Sequence, residues 1–141
     1  MLTLMCVLAT VWVSQPAVAA EKLVRVAPKT INFGTVPVGT EVLKSATITN
    51  VSGSDVLLLV EGGLPDDFGF GLLPGSTCPA LAPDILAAGA SCDVVVRFTP
   101  TEFFAGSRQN AELIATLRDP ATGGLLSTIS IRILARGVLT G

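Results

Sequence analysis

Residues 91–100 of the chain read SCDVVVRFTP, and this stretch says most about the fold. Apolar side chains recur at every second position, which predicts a half-buried β-strand over 91–99 that stops at Pro100. The predicted inward face of this strand consists of Cys92, Val94, Val96 and Phe98.

The same alternation recurs along the rest of the chain after residue 20, and no helical periodicity is sustained there. Glycine, proline, aspartate and serine interrupt it at short intervals. Gly34 is expected to end the second strand, and 62–90 is expected to be irregular. The fold class that this predicts is all-β, an immunoglobulin-like two-layer antiparallel β-sandwich of about seven strands. The predicted strands are 23–26, 30–33, 41–50, 56–60, 91–99, 110–118 and 126–136.

Residues 1–20 carry no charged side chain and end in the small residues Ala17-Val18-Ala19-Ala20. An apolar core followed by small residues is typical of a secretory signal peptide, here with cleavage after Ala19 or Ala20. The alternative is a retained transmembrane anchor, although the apolar run is shorter than the ~20 residues that a span needs. We therefore predict a signal peptide over 1–20 and one domain over 21–141. The protein is expected to be exported, periplasmic or extracellular, without stable membrane insertion after cleavage.

Cys78 and Cys92 are the cysteines that remain once the signal peptide is removed. Two cysteines in an exported chain predict one disulfide, and two free thiols are the alternative. The disulfide would close a loop of about 15 residues, for which the chain-entropy model gives roughly 3 kcal/mol of stabilisation. A thioredoxin-like redox site is not expected, because the C-x-x-C spacing is absent.

The composition argues against several classes of function. The chain has no histidine, which excludes Ser-His-Asp and Cys-His catalytic arrangements and imidazole metal ligands. Its 9 basic and 11 acidic residues give a formal net charge of −2 without a basic run, which argues against nucleic-acid binding. Asp66 and Asp67 are candidate Ca²⁺ ligands, but a solvated loop is the favoured interpretation. We predict no enzymatic activity, no cofactor and no metal.

Four sequence blocks, in this order, resemble a known family: Phe33-Gly34-x-Val36-x-Val38-Gly39, Thr47-x-Thr49-Asn50-x-x-Gly53, Leu86-x-x-Gly89-x-Ser91-Cys92-x-Val94-x-Val96-x-Phe98-x-Pro100 and Gly106-x-x-x-x-Ala111-x-Leu113. They are similar to the hydin-like and abnormal-spindle-like immunoglobulin-fold modules, whose bacterial exported versions are called choice-of-anchor D domains. The resemblance covers about residues 30 to 137. It implies a scaffold or binding module and supplies no catalytic residue.

The resulting hypothesis is an exported, non-enzymatic interaction or structural module that binds a protein partner through a sheet edge or end loops. Val24 and Arg25, on the first predicted strand, are candidates for edge binding, because Pro28 prevents that strand from continuing. Phe68 and Phe70, in the loop 62–77, are candidates for loop binding. The alternative is a subunit or chaperone of a surface fibre that acts by β-strand donation.

Two further aromatic side chains, Phe103 and Phe104, follow the strand 91–99. Exposed, they would be anchors for a partner. Buried, they would close one end of the sandwich, and burial is the favoured interpretation.

Overall fold

The computed structural model describes residues 23–71 and 73–139, with the backbone alone at residue 104. The predicted signal peptide therefore lies outside the described residues. The described chain folds into nine strands and one short 3-10 turn, Glu102–Phe104. The strands are β1 (Val24–Ala27), β2 (Thr30–Pro37), β3 (Val42–Asn50), β4 (Val56–Glu61), β5 (Phe68–Gly69), β6 (Asp84–Leu86), β7 (Ser91–Phe98), β8 (Arg108–Arg118) and β9 (Leu125–Val138).

The strands form two sheets, which confirms the predicted two-layer sandwich. Sheet I has four strands in the order β1-β3-β7-β5, and sheet II has five in the order β2-β9-β8-β4-β6. Pairing is antiparallel except between β2 and β9, which run parallel. The seven predicted strands are all present. β5 and β6 are additional, and both lie within the stretch 62–90 that was expected to be irregular.

The second strand does not end at Gly34 as predicted. β2 continues to Pro37, because the extra residue is accommodated by a β-bulge between Asn32 and Gly34 in its pairing with β9. Gly34 has a φ of 66°, which glycine adopts without steric cost, and its amide donates to the side-chain oxygen of Asn32. The glycine thus bends the strand instead of terminating it.

The core lies between the two sheets and is built from their alternating inward side chains. On β7 the buried residues are those predicted, and Phe98 is fully buried. Phe98 contacts two other phenylalanines, with ring centroids 5.6 Å from Phe33 and 4.7 Å from Phe68. This cluster joins β2 of sheet II to β5 and β7 of sheet I. The buried side chains of β8 and β9 also alternate along each strand: Leu113, Ala115, Leu117, Ile131, Ile133 and Ala135.

Candidate functional site

The two sheets have four edges, and the edge of β7 in sheet I is covered along most of its length. β5 pairs with its end, Phe68 opposite Phe98. Further along, the Val95 amide donates to the Ser76 hydroxyl, and the amides of Thr77 and Cys78 both donate to the carbonyl of Asp93. The chain before β6 therefore occupies the hydrogen-bonding positions where a foreign strand would pair.

A disulfide fixes this covering segment. Cys78 and Cys92 are bonded, with their Cα atoms 4.9 Å apart, as the sequence predicted. Both are buried, and Cys92 lies in β7 opposite Ile48 of β3. The covering segment is thus covalently attached to the strand that it covers.

The edge of β4 in sheet II is covered from the same side of the sandwich. β6 pairs with its first half, and beyond β6 the Val60 amide donates to the carbonyl of Pro79. On β6 itself, the Ile85 amide donates to the carboxylate of Asp84. We call this side, where β5, β6 and residues 76–79 cover both sheets, the closed side.

β2 forms the edge of sheet II on the opposite side, which we call the open side. The bulge interrupts its regular ladder, and its Asn32 carbonyl accepts a hydrogen bond from Lys44 Nζ. A bulge and a lysine side chain bonded to the edge backbone both discourage pairing with another strand. The β2 edge is therefore blunted by its own residues.

β1 is the remaining edge, as the sequence predicted, and among the described residues it has neither a bulge nor a covering segment. The Val51 amide donates to the Leu23 carbonyl, so Leu23 and Val51 form a hydrogen-bonded pair beside the antiparallel ladder of β1 and β3. Hydrogen-bonded and non-hydrogen-bonded pairs alternate along such a ladder. Arg25 and Ala27 therefore exchange hydrogen bonds with β3, whereas the N–H and C=O groups of Val24 and Val26 are directed outward. No described residue bonds to these outward groups.

The two candidate edge residues, Val24 and Arg25, present different groups at the edge. Val24 is fully buried, so its side chain belongs to the core and only its backbone reaches the edge. Arg25 is exposed. A partner at this edge would therefore meet the Val24 backbone and the Arg25 side chain.

The candidate loop residues do not form an exposed aromatic surface. Phe68, expected on a surface loop, is only 6% exposed, because it lies in β5 and packs in the phenylalanine cluster. Phe70 is half-buried and packs against the core. The expectation of burial for Phe103 is also wrong: its side chain is 86% exposed on the turn Glu102–Phe104.

Asp67 was expected to be solvated, and the structure places it in the interior. It is 2% exposed, and its carboxylate accepts hydrogen bonds from the Thr101 amide, the Thr101 hydroxyl and Gln109 Nε2. Asp66 beside it is exposed. In the described part of the chain no group of three or more candidate ligands is close enough to hold a metal ion. The Asp67 carboxylate instead ties the segment before β5 to β8.

Asn50 has a similar structural role that sequence reasoning missed. It is fully buried at the end of β3. Its amide nitrogen donates to the carbonyls of Ser54 and Leu86, and its oxygen accepts from the amide and hydroxyl of Ser52. Asn50 thus organises the turn after β3, and the sequence pattern did not indicate that this asparagine is buried.

Comparisons with known proteins give the fold and not a function. No protein-family model matches the chain, and no curated protein does. Among solved structures, the PapD-like domain 7 of human CEP192 has a TM-score of 0.64 at 13% identity, with 90% of this chain and 94% of that chain covered. The MSP family member WR4 of C. elegans has a TM-score of 0.56 at 15% identity, with coverages of 80% and 97%.

The fold is immunoglobulin-like. The E. coli chaperone DraB shares it with a TM-score of 0.55 at 14% identity, and 81% of this chain aligns with 54% of that chain. This chain thus spans about half the length of that chaperone. Among the described residues, no helix has the length and apolar character required to cross a membrane.

Proposed function

We propose that the chain is an exported, non-enzymatic interaction module whose β1 edge pairs with an extended strand of a protein partner. The observation that carries the proposal is that no described residue bonds to the outward backbone groups of Val24 and Val26, whereas the other three sheet edges are covered or blunted. In β-augmentation the main chain supplies the affinity and side chains supply the selectivity.

Arg25 favours a chosen partner over indiscriminate association. A charged residue on a short edge strand discourages pairing with a second copy of itself, because the two like charges would be brought close together. An acidic partner strand would not meet this penalty.

Export is part of the proposal. A buried disulfide persists in oxidising compartments outside the cytosol. It supports the signal-peptide interpretation of residues 1–20, which also predicts that the mature protein begins at Ala20 or Glu21. Amino-terminal sequencing of the exported form checks this, and recovery of intact Met1 in a membrane pellet would favour an anchor instead.

The four sequence blocks support a further assignment, to the hydin-like modules of choice-of-anchor D type. Solved PapD-like and MSP domains share the immunoglobulin-like fold with such modules, but the likeness does not extend to a specific family.

The second candidate is a subunit or chaperone of a surface fibre that works by strand donation. It is favoured by two structural neighbours that are described as chaperones, YadV and DraB. Donation between copies of this chain would give concentration-dependent polymers, whereas capture of a partner at β1 would leave the isolated protein monomeric. Size-exclusion chromatography over a range of concentrations separates the two.

The test of edge binding replaces one backbone donor. Val24→Pro removes an outward N–H and leaves the hydrogen bonds between β1 and β3 in place, because those belong to Arg25 and Ala27. The matched control is Val24→Ala, which also reduces core packing but keeps the N–H. A photo-crosslinker at Arg25 in the native envelope, followed by mass spectrometry, identifies the partner.

The expected result is that Val24→Ala binds that partner and Val24→Pro does not, with both variants folded by circular dichroism. If Val24→Pro binds as well as Val24→Ala, the β1 edge is not the site. The loop alternative is then tested by Phe70→Ser, which alters the half-buried aromatic of that loop.

A further inference from the structure

A groove of about 530 Å³ lies on the outer face of sheet II, whereas β1 is an edge strand of sheet I. Three strands form it: β2 at its bulge, the start of β8 and the end of β9. Its charged side chains are all arginines, Arg108, Arg132 and Arg136, and each is exposed. Arg108 on β8 is distant in sequence from Arg132 and Arg136 on β9, and no basic run predicts the cluster.

The strand register defines the layout of this arginine groove. On β9 the outward residues are Arg132, Leu134 and Arg136, which alternate with buried side chains. Leu134 lies opposite Asn110 of β8 on one side and Asn32 of β2 on the other. A half-buried apolar side chain therefore occupies the centre, amide side chains flank it, and arginines stand at both ends.

The charges of the groove are not satisfied within the described chain. No described residue forms an ion pair or a hydrogen bond with the three guanidinium groups. Arg108 lies directly opposite Arg136, and like charges at opposed positions destabilise a sheet. Glu112 lies opposite Arg132 and offsets one charge of the three. The Arg108–Arg136 pair is a local cost that an anionic ligand would relieve.

The glycine at the bulge leaves part of the β2 wall of the groove open. An added Cβ at Gly34 would have no atom within 4 Å, so nothing in the described chain fills that space. The Asn32 side-chain oxygen accepts from the Gly34 amide, which leaves the Asn32 NH₂ group to donate to a ligand.

The spacing along β9 specifies the shape of the ligand. Side chains on one face of an extended chain are about 6.6 Å apart, two residues along. An extended segment that lies along β9 therefore places its alternate side chains opposite Arg132, Leu134 and Arg136. Two of its acidic side chains would meet the two arginines, and an apolar side chain between them would meet Leu134. Arginine pairs with carboxylates through two parallel hydrogen bonds, which adds geometric selectivity to charge.

We propose that the arginine groove binds an extended acidic peptide segment with the pattern acidic–x–apolar–x–acidic. The pattern is symmetric, so either chain direction satisfies it. This site goes beyond the β1 edge: it uses side chains on the face of sheet II instead of backbone groups at the margin of sheet I.

The test uses a defined probe. A heptapeptide with glutamate at its second and sixth positions, leucine at its fourth, threonine elsewhere and both ends blocked is titrated into the full chain. Binding is followed by NMR chemical-shift changes at low salt. We expect saturable binding, with the largest shifts in Arg132, Leu134, Arg136 and their neighbours on β2 and β8. The affinity should fall with added salt.

Two substitutions and a matched control test the roles of the arginines. Arg132→Gln with Arg136→Gln should weaken binding about fivefold, since two exposed ion pairs are lost. Arg118→Gln makes the same change at the far end of β8, outside the groove, and should leave the affinity unchanged. A second peptide, with lysine in place of both glutamates, should bind the Arg132→Glu, Arg136→Glu variant more tightly than the glutamate peptide binds that same variant.

Each contrary outcome overturns the proposal. It fails if the peptide does not bind saturably, or if the glutamine analogue of the peptide binds equally well. It also fails if inorganic phosphate competes as effectively as the peptide, because the groove would then recognise charge alone. The Val24→Pro variant should bind the heptapeptide normally, so failure of the groove and failure of edge binding are separate results.

Discussion

The two sides of the sandwich treat their sheet edges in opposite ways. On the closed side, β5, β6 and residues 76–79 cover the edges of β7 and β4, and a disulfide holds the cover in place. On the open side, β2 is blunted by a bulge and by Lys44, and β1 keeps its outward backbone groups unbonded by any described residue. The edges of β7, β4 and β2 are thus covered or blunted by described residues, and the β1 edge is not.

The contrast between the two sides indicates which edge of the sandwich is available for recognition. Uncovered edges promote aggregation, so a stable protein that leaves one available has a reason to do so. The covered side would then provide stability, and the available β1 edge would provide recognition. The following predictions test that division, from the largest effect to the smallest.

Phe98→Ala should produce the largest loss of stability, because Phe98 is fully buried and packs against Phe33 of β2 and Phe68 of β5. The expected cost is about 3–5 kcal/mol from lost burial and the cavity left behind. Arg97→Ala, at the next position on the other face, should cost under ~1 kcal/mol. Urea denaturation measures both, and equal costs would mean that the register of β7 is wrong.

Replacing Cys78 and Cys92 together with alanine should cost about 2–4 kcal/mol. The effect should be local to the closed side, because the disulfide anchors the segment that bonds to Val95 and leads to Pro79. Hydrogen exchange should show faster exchange of the Val60 and Val95 amides. Equal acceleration in β1 would contradict a division between the two sides.

Asp67→Ala should cost about 1–3 kcal/mol, since it leaves Gln109 Nε2 without an acceptor in the interior. The matched control is Asp66→Ala, which removes an exposed carboxylate at the neighbouring position and should change stability by less than ~0.5 kcal/mol. Thermal unfolding compares the two. A similar cost for both would show that the Asp67 hydrogen bonds do not hold the segment before β5 to β8.

The sequence was sufficient for most of the long strands because they carry a period-two pattern that does not depend on which strands lie beside them, whereas β4 is a continuous apolar run over 56–60. It was also sufficient for β1 as an edge, since a short first strand next to Pro28 has few ways to enter the middle of a sheet. β5 and β6 were not predictable in the same way. Their two and three residues are too few to show a period, and they are strands only because β7 and β4 lie beside them.

The errors concern residues whose environment is set by distant parts of the chain. Phe68 and Phe103 are the same residue type outside the long strands, yet one is 6% exposed and the other 86%. Asp67 is buried because Thr101 and Gln109 supply donors from 34 and 42 residues further on. The arginine groove likewise forms only when β2, β8 and β9 come together.

Amide hydrogen exchange in β1 tests the central claim most directly, and its first step needs only the isolated protein. The amides of Arg25 and Ala27, which donate to β3, should exchange slowly, and those of Val24 and Val26 should exchange at least about tenfold faster. Addition of the partner captured at Arg25 should then slow Val24 and Val26 selectively. If Val24 and Val26 are already as protected as Arg25 in the isolated protein, or if the partner protects the loop 62–77 and leaves β1 unchanged, the edge is not available and the account is wrong.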